Sequence, residues 1–353
     1  MSSEKGFVRG TVDYFLETRN SILLLILAVA LGISAVLLTP REEEPQIIVP
    51  LADVYAFFPG ASAEEVETLV ATPLEKILWQ IDGVEYVYST SYRDFAVATV
   101  RFYVGEDRED SLVKLYNKIN MNLDLVPPGV TSWLVKPVEV DDVPIVNLTI
   151  FSDRYDDHEL HRMGEELLAR LDSVKDISRT GITGGRKREI RVEIDPDLCA
   201  GMNVSPLQVA KTLQGADASL TAGAFERFNG EMKVTTGPFL MSKRDVETLV
   251  VGVYQGRPVY VKDVARVLDG PEEVKSYTRF GYGPASGVDE EQRSKTWNAV
   301  TLCFAKKKGT NAVWVAEDLI REAERLKKEI LPADVHMEVT RDYGETANDK
   351  VNE

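Results

Sequence analysis

His158 and His161 stand three residues apart, close enough to share a helix face beside Glu165, and imidazole nitrogens with a carboxylate form a donor set that zinc and its neighbours accept. No third ligand follows at a convincing spacing, and exposed polar positions on a helix account for both histidines. Cys199 with Met202 is a soft pair suited to copper or silver, but Asp195-Pro196-Asp197 and Gly201 around it read as a strand-to-helix turn. Gly184-Gly185-Arg186-Lys187-Arg188 offers glycines and cations for a phosphate. It lacks the Gly-Lys-Ser/Thr ending of a P-loop and runs into a strand instead of a helix. Gly281, Gly283 and Gly287 have the wrong spacing for a dinucleotide fingerprint. No Ser-His-Asp or Cys-His arrangement is legible, so hydrolysis has no support, and no catalytic residue, metal or cofactor is expected.

The elements that carry these residues follow a single apolar run. Ser21 to Thr39 is uncharged and would rise about 28 Å as a helix at roughly 1.5 Å per residue, close to the hydrocarbon thickness of a bilayer. Pro40 ends it. Lys5, Arg9 and Arg19 precede the run, whereas Arg41 and then Glu42, Glu43 and Glu44 follow, so the cationic bias places the N-terminus in the cytoplasm and the bulk of the chain outside it. Within residues 1–20, Val8, Val12, Phe15 and Leu16 recur at helical spacing and predict an amphipathic leader on the inner leaflet. A long apolar core and a charge-balanced leader argue against a cleaved signal peptide. The charges before the run cancel, so the formal net charge of -16 belongs to the exported part. That excess serves solubility and excludes nucleic acid as a partner. Cys199 and Cys303 are expected to remain unbridged, since nothing local brings them together.

Beyond the run the periodicity repeats. An alternating strand over Ile47 to Phe58 leads through Pro59-Gly60-Ala61 into a helix with a Ser62/Glu65 capping box. Its apolar stripe is Val66, Leu69, Val70, Leu74, Ile77, Leu78 and Ile81, with a kink expected at Pro73. Strands at Val84 to Thr90 and Phe95 to Val104, a helix carrying Leu112, Leu115, Ile119 and Leu123, and a strand near Thr131 to Val140 complete a βαββαβ order. That order restarts at Val143 with an apolar strand to Phe151 and a helix carrying Leu160, Met163, Leu167 and Leu171. Ile81-Asp82-Gly83-Val84 is echoed by Leu171-Asp172-Ser173-Val174 at an offset of 90, while Gly105, at a strand end, and Leu125-Val126-Pro127 are echoed by Gly309 and Ile330-Leu331-Pro332 at offsets of 204 and 205. The difference, roughly 114 residues, predicts a domain inserted into the second unit. A rival closure uses Ile190 to Ile194 and the helix announced by Ser205-Pro206. The insertion is preferred because Trp297 to Phe304 and the helix from Val313 to Ile330 otherwise lack partners. Asn229-Gly230 marks a hairpin within the insert. Tyr277 to Lys295, rich in Gly, Ser and charge, reads as an exposed loop.

The run ending in Pro40-Arg41, then Phe58-Pro59-Gly60-Ala61-Ser62, Glu64, Val66, Glu67, Pro73-Leu74-Glu75, Ile81-Asp82-Gly83-Val84 and Asn117-Lys118-Ile119, resembles the N-terminal half of a resistance-nodulation-division (RND) efflux transporter of the acriflavin and multidrug resistance type. The resemblance covers the full chain. It implies an α+β fold in which one N-terminal transmembrane helix is followed by two ferredoxin-like βαββαβ porter subdomains, the second interrupted by an α+β docking subdomain. The boundaries would be a leader at 1–20, a transmembrane helix at 21–39, a first porter subdomain at 47–140, a second at 143–181 with 277–341, the docking insert at 183–274, and an approach to a further span at 342–353. It further implies a proton-driven homotrimer in the bacterial inner membrane, joined to a periplasmic adaptor protein and an outer-membrane channel, surrounded by lipid bilayer and exporting small amphiphilic solutes.

By alignment the substrate wall would include Val143, Ile145 and Gly184. Because multidrug members have phenylalanines at two of these positions, no aromatic stacking trap is expected from this half. The arm that clasps a neighbouring subunit is shortened to about Ala222 through Thr236, with Phe225, Phe228, Asn229 and Gly230 as its contact residues. The intramembrane carboxylates and lysine of the family's proton relay have no counterpart, so the chain by itself is expected to be inert. The competing expectation is a single-span, membrane-anchored periplasmic binding or assembly protein without transport.

Overall fold

A computed structural model describes residues 20–43, 47–139, 142–216, 220–227, 230–236 and 240–353. The leader expected at 1–20 lies outside the described residues apart from its last residue. The first helix, α1 (Asn20–Leu38), consists almost wholly of apolar residues, and none of the side chains described from Ile22 to Val36 is covered. Leu23 and Leu25 are each 64% exposed, so among the described residues nothing covers these side chains. Among the described residues, no helix is long and apolar enough to cross a membrane.

β1 (Leu51–Phe57) alternates as its sequence demands, with Ala52, Val54 and Ala56 fully buried. It enters α2 (Ala63–Val66), whose capping box is made as expected: Glu65 N–H donates to Ser62 Oγ and Ser62 N–H donates back to the Glu65 carboxylate. The kink expected at Pro73 takes the form of a π turn over Glu67–Ala71 that leads into α3 (Thr72–Leu78) with Pro73 in its first turn. Proline has no N–H to give to the turn behind it, and the wider π turn accommodates that gap. β2 (Val84–Tyr92), β3 (Phe95–Phe102), α4 (Arg108–Met121) and β4 (Ser132–Val138) follow. The strands form one antiparallel sheet in the order β2-β3-β1-β4. Leu74, Leu78, Leu115 and Ile119 from the helices bury against Val54, Val100 and Phe102 on one face. The other face is open.

β5 (Val146–Ser152), α5 (Asp157–Leu171) and β6 (Ile177–Thr183) begin the next sheet. The chain then leaves it for β7 (Arg188–Ile194), α6 (Pro196–Gly201), α7 (Pro206–Ala216), β8 (Leu220–Arg227), β9 (Gly230–Thr236), α8 (Lys243–Glu247), β10 (Val250–Tyr254), β11 (Arg257–Tyr260), α9 (Val261–Val264) and β12 (Ala265–Pro271). β7 pairs with β12, β8 with β9 and β10 with β11. Val209, Val251, Val259, Val261 and Val264 gather with Cys199 in a core of their own. The chain returns through β13 (Arg279–Phe280), α10 (Glu290–Arg293) and β14 (Trp297–Lys306), and ends in α11 (Ala312–Ile330), β15 (His336–Asp342) and α12 (Tyr343–Asn352).

β14 lies between β5 and β6, and β15 lies on the far side of β5. Taken in chain order, β5, β6, β14 and β15 occupy the places that β1, β2, β3 and β4 hold in the first sheet. One face is sealed by Leu160 and Leu167 of α5 and Leu319 and Leu326 of α11, packed on Leu148, Ile150, Leu302 and Phe304. α12 closes on α11 because Gly344 has no side chain; a Cβ there would lie 2.6 Å from the Ala316 Cβ. The stretch expected as an exposed loop between Tyr277 and Lys295 instead carries β13, a short turn at Pro284–Ser286 and α10. Its Gly and Ser content concealed the aromatic residues that tie it down.

Because Phe304 is fully buried where α5 and α11 meet the sheet, Phe304→Ala is expected to lower the unfolding free energy by about 3–5 kcal/mol. Loss of the Ser62 cap in Ser62→Ala is expected to cost about 1 kcal/mol. Urea unfolding followed by circular dichroism checks both.

Candidate functional site

The second sheet has two unlike faces, and the difference is set residue by residue. In β5, Val146, Leu148 and Ile150 enter the helix-covered core, so Asn147, Thr149 and Phe151 point to the other side. In β14 the core takes Val300, Leu302 and Phe304, which leaves Trp297, Ala299, Thr301 and Cys303 opposite. The register aligns these outward residues in rows. Ala299 and His336 flank Phe151, Thr301 and Glu338 flank Thr149, and Cys303 lies between Asn147 and Gly181.

One end of this outer face is aromatic. Phe280 stacks on Phe151 at 4.2 Å, Trp297 lies 5.3 Å from Phe151, and Tyr282 stands edge-on to Trp297 at 5.8 Å. Such offset and edge-on pairs suit the ring quadrupoles. Tyr282 Oη donates to Glu338 Oε1 at 3.1 Å. Burial, reinforced by that carboxylate, raises the Tyr282 pKa and keeps the phenol protonated as the donor. The middle of the face is a hydroxyl row in which Thr149 Oγ1 lies 2.9 Å from Thr301 Oγ1 and 3.0 Å from Thr340 Oγ1. Hydroxyls rotate to give or accept, so the row can adjust to a polar group laid on it. At the far end, Asn147 Oδ1 is buried with no hydrogen-bond partner, and the half-buried Cys303 has its Sγ 4.0 Å from Thr183 Oγ1. Phe151, Trp297, Ala299 and Thr149 are themselves buried, so this end is a small packed cluster, and only its rim of Phe280, Tyr282, Thr301 and Cys303 is partly exposed. A rim of rings and hydroxyls is chemistry for touching an amphiphile, not for activating a nucleophile.

The first sheet's open face is also aromatic but more charged. Tyr86 and Tyr88 stack at 5.8 Å and Tyr92 and Phe95 at 4.8 Å. Arg101 lies over Tyr86 at 5.6 Å and Lys136 over Tyr55 at 5.3 Å.

The crossover from β6 to β7 sits at the aromatic end, and glycine makes it passable. Gly184 and Gly185 have φ of +89° and +71°, and a Cβ on Gly185 would lie 2.6 Å from Asp157 O and 2.7 Å from His161 Cβ. Helix α5 holds this crossover: His161 Nδ1 donates to Gly184 O and His158 Nδ1 to Arg186 O, each at 2.9 Å. Asp157 takes a two-point bond from Arg186, with contacts of 2.6–2.9 Å. That bond holds the Asp157 carboxyl below the usual carboxylate range. The expectation that both histidines are exposed polar positions is therefore corrected, since His161 is 3% exposed. Among the described residues, no group of three or more His, Cys, Asp or Glu side chains could hold a metal ion. Cys199 is buried in the core formed by the residues between β6 and β14, donates to Val264 O, and has its thiol pKa raised by burial; both cysteines are free.

The three expected wall residues do not meet. Ile145 is buried in the core behind the sheet and bonds through its N–H to Phe304 O, while Val143 is exposed nearby in the chain. Gly184 lies toward the other end of β14, where a Cβ would come 3.1 Å from Ala299 O and 2.5 Å from Thr278 Oγ1. The run from Ala299 to Phe304 spans about 16 Å at roughly 3.3 Å per residue. Away from the aligned positions, Phe151, Phe280, Tyr282 and Trp297 form an aromatic cluster in which Phe151 and Trp297 are buried, a packed cluster and not an open stacking trap. Sequence reasoning missed them because β5 read as a plain apolar strand and Phe280 and Tyr282 fell within a loop. The signal available was the alternation of Asn147, Thr149 and Phe151. Of the expected arm contacts, Phe225 pairs with Met232 and Gly230 with Arg227 in the β8–β9 ladder, whereas Phe228 and Asn229 lie outside the described residues.

Phe280→Ala is expected to uncover Phe151 and Trp297, shifting tryptophan emission to the red and reducing near-ultraviolet dichroism while far-ultraviolet dichroism is kept. Asp157→Asn is expected to weaken the crossover by about 1.5–3 kcal/mol, a roughly tenfold to hundredfold rise in amide exchange over residues 184–187. A carboxyl whose pKa is lowered by folding stabilises above its unfolded value, and the contribution is lost as the pH falls through the folded one. The wild-type crossover should accordingly keep its protection from neutral pH down to about 4 and lose it below.

A model of the AcrB/AcrD/AcrF family matches residues 11–353. Multidrug resistance protein MdtC of Proteus mirabilis is 26% identical over 334 residues, covering 93% of this chain and 31% of that protein. MdtC of Photorhabdus laumondii is 27% identical, with 93% of this chain and 30% of that protein covered. MdtC of Pantoea ananatis is 28% identical over 342 residues, covering 96% of this chain and 32% of that protein. The chain spans about a third of the length of these curated relatives.

Proposed function

The chain belongs to the AcrB/AcrD/AcrF family, and from that premise we propose that it forms the N-terminal membrane anchor and the periplasmic porter and docking part of a proton-driven RND efflux pump for small amphiphilic solutes. α1, with the apolar run that contains it, is the anchor in the inner membrane, the N-terminus is cytoplasmic, and the two βαββαβ units lie in the periplasm. Residues 47–140 are the first porter subdomain and residues 143–181 with 277–341 the second. Residues 183–274 are the docking insert, turned toward an adaptor protein and an outer-membrane channel in a homotrimer.

The outer face of the second sheet carries this reading. Its partly exposed rim of Phe280, Tyr282, Thr301 and Cys303 would accept solutes of varied shape, because stacking and area burial demand little directional match. Its support is rigid: the face is backed by α5 and α11 and its strands are paired throughout. A rigid sheet can open and close a cleft against a facing surface as one body, as alternating access requires. Val143 and Gly184 would lie at the margins of that cleft, while the buried Ile145 would support it from behind.

Photolabelling of the detergent-solubilised chain with an amphiphilic azido dye tests the reading. Label is expected in residues 279–283 and 301–303, with at least a fivefold loss in Tyr282→Ala. Label spread evenly over both sheets, or confined to the first, would contradict it.

A further inference from the structure

Between the apolar helix and the first sheet the chain takes an unexpected detour. Arg41, Glu42 and Glu43 immediately follow α1 and precede β1, yet their partners lie in the second unit. Ala312 N–H, at the start of α11, donates to Arg41 O at 3.0 Å. Arg41 Nη1 donates to Asn348 Oδ1 of α12 at 2.8 Å. Lys306 Nζ at the end of β14 pairs with Glu42 Oε1 at 2.9 Å, with side-chain exposures of 7% and 15%, the most enclosed ion pair among the described residues. Lys350 of α12 pairs with Glu43 at 3.0 Å. By contrast Ile48 and Pro50, a few residues on, accept backbone bonds from Gly105 and Phe102 of the first unit.

We infer that Arg41–Glu43 is a strap that fixes the end of α1 to the second unit, with Glu42 and Lys306 as its positioning residues, so that the helix and the second sheet move as one body. A lysine enclosed to this degree is tolerated only with its counter-charge in place, which makes the pair a specific lock and not a general attraction. Four contacts from three successive residues reach β14, α11 and α12, elements that otherwise meet only through the second unit's own core. Any tilt of α1 is thereby delivered to the sheet that carries the aromatic and hydroxyl face. The geometry of the strap is independent of transport. Its consequence, that a movement at the membrane shifts the solute-binding face, rests on the function proposed above.

Double electron–electron resonance on the full chain in lipid nanodiscs, in a C199A/C303A background, tests the strap. Spin labels at Leu38 and Lys328 report on the helix and the second unit, and labels at Leu38 and Asn117 on the helix and the first. The Leu38–Lys328 distance distribution is expected to be narrow, to broaden at least twofold in Glu42→Gln and in Lys306→Met, and to narrow again in the charge-exchanged pair Glu42→Lys with Lys306→Glu. An unchanged width in both single variants, or no recovery on charge exchange with the fold retained by circular dichroism, overturns the inference. If Lys306→Met fails to fold, the milder Glu42→Gln variant decides. Neither measurement depends on export, so a failure of the proposed function leaves this test standing, and the reverse holds too.

Discussion

Period-two alternation in β5 and β14 is the constraint from which the rest follows. Because neighbouring side chains on a strand must face opposite ways, a sheet covered on one side by α5 and α11 is obliged to present a second side with a chemistry of its own. Val146, Leu148 and Ile150 meet the demands of the core. Asn147, Thr149 and Phe151 face the other way and align with Cys303, Thr301 and Ala299, and Phe151 and Ala299 join Trp297 in a small buried cluster of their own. A one-residue slip in either strand would exchange the two faces, so the register that buries the core is also what assembles the outer face.

The same constraint explains how a long excursion can leave this sheet and return without disturbing it. β6 and β14 are paired neighbours although the chain between them builds a separate core. The departure needs a tight turn, supplied by two glycines at positive φ, and a fixed direction, supplied by His158, His161 and Asp157 of α5. The return is tied down by Phe280 and Tyr282, which pack over the aromatic end. Departure and return meet at Gly184 and Thr278, so the junction of the excursion and the edge of the aromatic patch are one place in the molecule.

Much of the architecture is written in local pattern. The echo of Ile81-Asp82-Gly83-Val84 in Leu171-Asp172-Ser173-Val174 reflects two helices that leave their sheets in the same way, and the Ser62/Glu65 cap is readable from spacing alone. What was not legible depends on contacts distant in sequence. The histidines looked like polar surface because their acceptors, Gly184 O and Arg186 O, lie more than twenty residues ahead on another element. Phe280 and Tyr282 looked like loop residues because their partners Phe151 and Glu338 come from strands on either side. Glu42 carried no signal at all, since its counter-charge Lys306 is 264 residues away.

The central claim is that the outer face of the second sheet is where solute lies, and the native cysteines offer a direct measure of it. Cys303 is half-buried on that face, whereas Cys199 is enclosed in a separate core. The rate of maleimide alkylation at Cys303, followed by mass spectrometry on the native chain with and without a saturating amphiphilic dye, reports whether the face is covered. The account predicts slowing of at least severalfold at Cys303, with Cys199 unreactive throughout; an unchanged rate at Cys303 under dye saturation would contradict it.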